Sequence, residues 1–426
     1  MLRMLILRLR LGLKDVVVLN DLGSIRDGLT NPDVLFRPDN FAFCTIGIDA
    51  IGSLSGEPWK VNRRYSFHVL RNLGFPRKGM EEHIQESVQH FADFLASGEG
   101  KPRVVSQQLA TSVSNNITTL VFGESYPLDH PTARLIENML TKFLRHASFL
   151  SVEDFLPPVR LLATCIPNTR LEIMKRVFTQ LAKLVRNEIN DRQGRMEHYI
   201  GRDFIDGYLR KIEENKGATS HYNLGSLEGS TLNFYSASTN TVRTAVLWDL
   251  YIMASDPDGL QARVQREIDS ALGRHKTPDW DDRRRMPFTM ACILEQQRWR
   301  TAAPIGIPRA AERDTFIGGY HIPAGTVVIS NLWSLHNDPK YWHNPSQYDP
   351  MRFLNSDGTE VDDKQPAFLP FSMGQSLALM EIFLYVTGIL QRFTVLPEEG
   401  VTLSLDAEDA LVSVANETQK LRFIAR

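Results

Sequence analysis

Met286-Pro287-Phe288-Thr289-Met290-Ala291-Cys292-Ile293-Leu294-Glu295-Gln296-Gln297-Arg298 is the stretch on which the reading of this chain turns. Its apolar lead, with Pro287 suited to a first helical turn, predicts a buried helix. Glu295 and Arg298 stand three apart, so on that helix they share a face and can pair. Downstream, Tyr348-Asp349-Pro350-Met351-Arg352-Phe353 brings a second arginine beside an aromatic residue and a proline. Each guanidinium presents a planar fork of donors, so one carboxylate can hold two of them. Alone, the Glu-x-x-Arg pair reads equally as a solvated i,i+3 salt bridge.

The flanking sequence decides between the two. Ala310-Ala311-Glu312-Arg313-Asp314-Thr315 is followed by Gly319-Tyr320-His321-Ile322-Pro323-Ala324-Gly325-Thr326. Then come Asn331-Leu332-Trp333-Ser334-Leu335-His336-Asn337-Asp338-Pro339, the Arg352-Phe353 pair, and Phe368-Leu369-Pro370-Phe371-Ser372-Met373-Gly374. In that order these motifs resemble the C-terminal half of a cytochrome P450, a haem-thiolate monooxygenase of the animal microsomal type. The resemblance implies a mainly α fold with small β-sheets (α+β), a helical bundle enclosing haem beside a β-rich lobe. It implies one domain over 1–426: a β-rich start (1–50), a helical body (51–300), strands and a meander (301–374), and a final helix with a β-hairpin (375–426). In that frame Glu295, Arg298 and Arg352 are scaffold that locks the meander, not catalysts.

Composition is that of an ordinary globular chain: 42% hydrophobic and 23% charged over 426 residues. A formal net charge of -2, with no long basic block, gives no sign of a nucleic-acid partner. Cys44, Cys165 and Cys292 are too few and too scattered for a disulfide framework, which favours a reducing compartment. The opening residues are apolar but carry Arg3, Arg8 and Arg10, so they are expected neither to span a membrane nor to act as a signal peptide. Two short strands are expected at 9–13 and 16–19. They resemble the family's first hairpin, which in microsomal members follows a membrane anchor. The chain is therefore expected to be N-terminally truncated. The resemblance implies the endoplasmic reticulum membrane, and without an anchor a soluble protein or one in peripheral membrane contact.

Helical patterns run through 80–95, 109–122, 131–149 and 171–192, with Pro157-Pro158 and Pro167 as breaks. Gly201 to Leu209 resembles the start of a long helix that roofs the family's substrate cavity. In Gly56-Glu57-Pro58-Trp59-Lys60-Val61-Asn62-Arg63, Trp59 and Arg63 share a helical face. The resemblance gives them a haem propionate, and gives the second propionate to Arg309. A long apolar stretch, 229–255, centres on Phe234-Tyr235-Ser236-Ala237-Ser238-Thr239-Asn240-Thr241. The family's matching helix crosses the haem's distal face with a small residue, a glycine, an acid and a threonine. Here Ala237, Ser238, Asn240 and Thr241 stand at those positions. Thr241 and Asn240 are thus the catalytic candidates, for relaying protons to bound oxygen. An amide cannot exchange a proton as a carboxyl does, so the relay leans on Thr241 and water. Alternatively, Thr241 simply back-bonds to its own helix. Gly318-Gly319 reads as a turn between short strands, and His336-Asn337-Asp338-Pro339 as a capped turn.

One departure bears on activity. The family continues Phe-x-x-Gly as x-Arg-x-Cys-x-Gly, and that cysteine thiolate ligates the iron. Here Phe371-Ser372-Met373-Gly374 runs directly into Gln375-Ser376-Leu377-Ala378-Leu379-Met380-Glu381, so the axial cysteine is missing between Gly374 and Gln375 and no metal ligand is assigned. No cysteine follows Cys292 and no histidine follows His343. Met380 and Tyr385 belong to types that ligate haem elsewhere, yet they also read as core positions of a helix. Motifs resume in register on both sides, as after a clean internal deletion. Two histories fit: a lost exon-edge segment, or a protein that no longer turns over.

The resemblance implies haem (iron protoporphyrin IX) bounded in part by Phe371 and Gly374, and the missing sulfur puts its stable binding in question. It also implies oxygen, a small lipophilic substrate and a separate NADPH-dependent reductase. Substrate contacts are expected at 41–51, on Phe234 and Ala237, and at 303–307. The competing expectation is an inactive protein of the same fold that binds lipophiles or a partner. A hydrolase is excluded, because no nucleophile elbow and no Ser/His/Asp set is present.

Overall fold

A computed structural model describes residues 5–38, 49–72, 78–146, 151–194, 203–216, 221–362, 364–371, 377–408 and 413–426. Strands β1 (Ile6–Leu11) and β2 (Lys14–Leu19) form the expected hairpin, two to three residues longer at the start than the sequence suggests. Its turn needs Gly12, which sits at φ +55°, where a Cβ would meet the Phe155 carbonyl oxygen at 2.6 Å. Strands β3 (Arg309–Ala310), β4 (Thr315–Ile317), β5 (Tyr320–Ile322) and β6 (Val327–Ser330) follow from the distant C-terminal half. β6 pairs in parallel with β2 and antiparallel with β3, giving the sheet order β1-β2-β6-β3. Val16, Val327 and Ile329 meet Phe155 in a small apolar core of this lobe. Gly318 and Gly319, both at positive φ, turn β4 into β5 as expected.

The helical body holds α1 (Leu22–Thr30), α2 (Gly56–Asn72), α3 (Lys78–Ala96), α4 (Ser106–Phe122), α5 (Pro131–His146), α6 (Val152–Phe155), α7 (Pro157–Cys165), α8 (Arg170–Gly194) and α9 (Phe204–Glu214). Then come α10 (Leu224–Ser255), α11 (Ala262–Leu272), α12 (Pro287–Trp299), α13 (Leu332–His336) and α14 (Leu377–Arg392). The last helix leads into β7 (Phe393–Pro397), which pairs antiparallel with β8 (Leu421–Ala425). The fold is thus mainly α with small β-sheets, as the sequence implies.

Three local expectations need correcting. Pro157-Pro158 does not break a helix but opens α7, because a proline has no N–H to lose in a first turn. The helix begun near residue 201 is short, ending at Glu214, and packs on α2, α4 and α10. The first strand ends at Leu11, two residues before the expected end, because the turn begins at Gly12.

The centre of the molecule is α10. It starts where the Asn223 side chain accepts the Ser226 N–H, and ends before Asp256-Pro257. It packs most extensively on α4 and also touches α5, α8, α9, α12 and α14. Trp248 is fully buried there, and its indole N–H donates to the Ser413 carbonyl at 2.8 Å. Against this helix lie α12 and α14, which carry the scaffold and the final approach to the site.

Candidate functional site

The geometry is best built from Glu295. Arg298 grips it from one turn on: Nε reaches Oε2 and Nη2 reaches Oε1, both at 2.7 Å. The Asp349 N–H donates to Oε1 at 2.9 Å and Arg352 Nε to the same oxygen at 3.4 Å. Arg298 has five N–H donors, and its remaining ones go to the carbonyls of His336 (2.8 Å), Pro345 (2.9 Å) and Gln347 (3.2 Å). Arg352 turns its outer nitrogens to the carbonyls of His343 and Asn344. Glu295 and Arg298 are both fully buried. Burial pushes the Glu295 carboxyl up from its ordinary range, and Arg298 and Arg352 oppose that push. Four donors converge on the two oxygens, a pattern that only the ionised form uses in full.

His336 extends this cluster. It is the last residue of α13, whose N-cap is Asn331, and Asn337 caps the helix end where the chain turns. Its Nδ1 is 2.6 Å from Thr301 Oγ1, and its Nε2 accepts the Leu369 N–H at 3.0 Å. Burial and the nearby Arg298 charge lower its pKa to about 3, so the ring is neutral.

The second part of the site lies on α10. This helix is buried over most of its length, yet Asn233, Phe234, Ala237, Ser238 and Thr241 are partly or fully accessible. Their spacing places them along one stripe. Ala237 is exposed although it lies mid-helix in the most enclosed element, so the stripe borders an open space. The Phe234 ring meets the Phe204 ring edge-on at 5.2 Å, and a Cβ on Gly52 would touch the Asn233 amide at 2.9 Å. Residues 49–53 therefore close one end of that space, whereas 39–48 lie outside the described residues. Thr241 Oγ1 donates to the Ala237 carbonyl at 2.8 Å, the back-bond weighed from sequence. Asn240 is not brought onto the stripe. It is 1% exposed, and both its amide atoms lack a partner among the described residues.

Trp59 and Arg63 lie on α2, with the guanidinium carbon 5.6 Å from the Trp59 ring and 4.9 Å from the Phe67 ring. Arg63 is exposed and has no hydrogen bond or ion pair among the described residues. Arg309, on β3, donates to the Leu29 carbonyl at 3.0 Å, has no carboxylate partner there, and has its pKa lowered by burial. Two arginines without acids fit a ligand that brings its own carboxylates. Phe371 is half-buried against the main core, and Gly374 lies outside the described residues.

The donors for a metal do not fit. Cys292 is fully buried on α12, and burial and nearby Asp249 push its thiol well up, away from the thiolate a metal needs. Cys165 is exposed at the end of α7, and Cys44 lies outside the described residues. Tyr385 is occupied by Ser112 at 2.7 Å, and Met380 is packed in the core. Among the described residues no cluster of three or more His, Cys, Asp or Glu could hold a metal.

Sequence reasoning missed two buried acids. Glu381, on α14, accepts the Asn116 amide at 2.9 Å, and burial raises its pKa to about 8. Glu137, on α5, is raised to about 7 by burial near Ser114, Arg243 and Tyr235. Nothing in their spacing marks them, since each reads as an ordinary helical glutamate. For Glu381 the folded pKa exceeds the unfolded one, so the folded chain holds the proton from about pH 4.5 to 8. Its contribution to stability is full below that window and is lost as pH rises through it. The Glu381→Gln variant keeps the bond from Asn116. It is expected to be more stable than the parent above pH 8, by a few kcal/mol. Thermal midpoints across pH 5–9 check this, and parallel curves for the two proteins would refute it.

A family model described as cytochrome P450 matches residues 5–423. The chain is 35% identical over 407 residues to cytochrome P450 2F5 of Gorilla gorilla gorilla, covering 91% of this chain and 80% of that protein. It is 34% identical over 408 residues to cytochrome P450 2F2 of Mus musculus, with the same coverage. To cytochrome P450 2J2 of Homo sapiens it is 32% identical over 360 residues, 82% of this chain and 70% of that one.

Proposed function

The chain belongs to the cytochrome P450 family, and from that premise we propose that it serves the family's reaction, insertion of one oxygen atom from O2 into a small lipophilic substrate. Electrons come from NADPH through a separate reductase. Haem on a protein thiolate supplies the oxygen chemistry when bound. The observation that carries this reading is the accessible stripe of α10, which offers apolar Phe234 and Ala237 beside the hydroxyls of Ser238 and Thr241. In this reading Phe234, Ala237 and residues 303–307 orient the substrate and exclude water. Thr241 accepts a hydrogen bond at Oγ1 while its own proton rests on Ala237, and it can pass a proton on only by releasing that carbonyl. Asn240 holds water and does not titrate. Trp59, Arg63 and Arg309 would hold the carboxylates of a bound haem, and Phe371 would border it.

A second reading is favoured by the donor set. With no cysteine after Cys292, the chain as written keeps the scaffold and the lipophile space without a thiolate, so no step is assigned through the iron. In that form the protein binds lipophiles or a partner and does not turn over. Carbon monoxide added to the reduced, haem-loaded protein separates the two. Haem without the red-shifted band of thiolate ligation would support the second reading, and that band at full strength would sink it.

The family resemblance also supports a location at the endoplasmic reticulum membrane. No described helix is long and apolar enough to cross a membrane. Peripheral contact is supported by the apolar surface of α6 and α7, where Val152, Leu161, Leu162 and Ile166 are all more than half exposed. The hairpin tip extends it, since the Leu13 N–H bonds the Phe155 carbonyl and Leu13 itself is 63% exposed. Exposed apolar patches of this kind mark interaction surfaces. The double variant Leu161→Asp, Leu162→Asp is expected to float with phospholipid vesicles at least tenfold less than the parent. Equal flotation would remove the membrane assignment.

A further inference from the structure

We infer that His336 is a positioning residue: its neutral ring, protonated at Nδ1, ties the Leu369 backbone to the Glu295–Arg298–Arg352 cluster and so fixes the segment that enters residues 372–376. The hydrogen bonds determine the tautomer. Thr301 Oγ1 spends its proton on the Arg298 carbonyl at 2.9 Å, so at 2.6 Å it must accept from His336 Nδ1–H. The Leu369 N–H can only donate, so Nε2 must present a lone pair. One ring thus has a donor on the scaffold side and an acceptor on the segment side. An imidazolium could not make both bonds.

The tie has no substitute nearby. Pro370 has no N–H, and among the described residues the bond from Leu369 is the only one made by Leu369, Pro370 or Phe371. Apolar packing adds to it: Phe368 lies 5.9 Å from the His336 ring and 4.8 Å from that of Phe353, and Leu369 and Phe371 pack against the main core. On the scaffold side the anchor is rigid, because Arg298 also holds the His336 carbonyl at 2.8 Å. His336 is therefore fixed through backbone and side chain by the same arginine and its neighbour. The positional meaning rests on the family reading, which puts the iron ligand in the stretch after Phe371. The hydrogen-bond tie itself does not.

Two variants of the full chain test it. In His336→Asn the amide lies near the Nδ1 position and can still serve Thr301, but nothing reaches Leu369. In His336→Gln the carbonyl oxygen reaches the Nε2 position and can accept the Leu369 N–H. Amide hydrogen exchange is expected to quicken about tenfold at Leu369 in the Asn variant, while residues 290–299 keep their protection and the Gln variant restores Leu369. Unchanged exchange at Leu369 in the Asn variant would overturn the inference. So would acceleration shared with 290–299 that Gln does not relieve, because His336 would then merely fill the core. Nitrogen NMR of the parent's ring gives an independent readout: a neutral ring with its proton on Nδ1 is expected, and a proton on Nε2 would overturn the inference without any variant. None of these measurements needs haem, so a failed carbon monoxide experiment leaves them interpretable.

Discussion

Insertion of a segment of pattern x-Arg-x-Cys-x-Gly between Gly374 and Gln375 is expected to turn a chain with no thiolate band into one that shows it at near-stoichiometric haem. The expectation rests on what lies either side of the junction. Before it, Leu369 is bonded to His336, and Phe368 is buried between the His336 and Phe353 rings. After it, α14 is buried from Leu379 to Gln391 and packs on α3, α10, α11 and α12. Arg63 and Arg309 have no carboxylate partner among the described residues. The same insertion with Ser for Cys is the control, since it restores length and charge without a soft ligand. A thiolate band in the Cys insertion alone is the expected outcome. Haem bound equally by both insertions, with no such band in either, would mean that the junction does not face the iron.

What the sequence could and could not reveal follows from the range of each interaction. Glu295 and Arg298 were legible because their pairing is local, fixed by a helical turn. Arg352 lies far along the chain, so no spacing rule fixes its pairing; the sequence offered it only as a second arginine that one carboxylate could hold, and it donates to the same carboxylate oxygen. The α10 stripe was not legible from periodicity: the helix is apolar nearly all round, so no face stands out until its neighbours are placed. Pro157-Pro158 misled because proline is a signal for helix starts as well as breaks, and local sequence does not say which. His336 and Glu381 act through Leu369 and Asn116, partners 33 and 265 residues away, which no spacing rule reaches. Asn240 was named beside Thr241 through the resemblance, because it stands at the family's acid position, but adjacent residues on a helix point about 100° apart, and of the two the fold leaves only Thr241 on the accessible side.

Replacing Glu295 is expected to have the largest effect on stability of any single change. In Glu295→Ala, Arg298 and Arg352 keep their charges in a buried place and lose the one carboxylate they pair with among the described residues. Removing one partner of a buried ion pair costs about 3–5 kcal/mol. Set against a typical domain stability of roughly 5–15 kcal/mol, that is enough to leave much of the protein unfolded at 37 °C. Arg298→Lys is expected to do almost as badly: an ammonium has three donors, while Arg298 serves one carboxylate twice and three separate carbonyls. The double variant Glu295→Met, Arg298→Met is the sharper test, because it removes the stranded charge together with its partner. It should lie well above either single variant in urea midpoint, even though it loses more hydrogen bonds. The three carbonyls of His336, Pro345 and Gln347 remain unserved in it, so it should still fall short of the parent. If instead Glu295→Ala unfolds at the parent's urea concentration, the ion-pair cluster does not hold the meander. The anchoring of Leu369 through His336 would then have nothing rigid behind it.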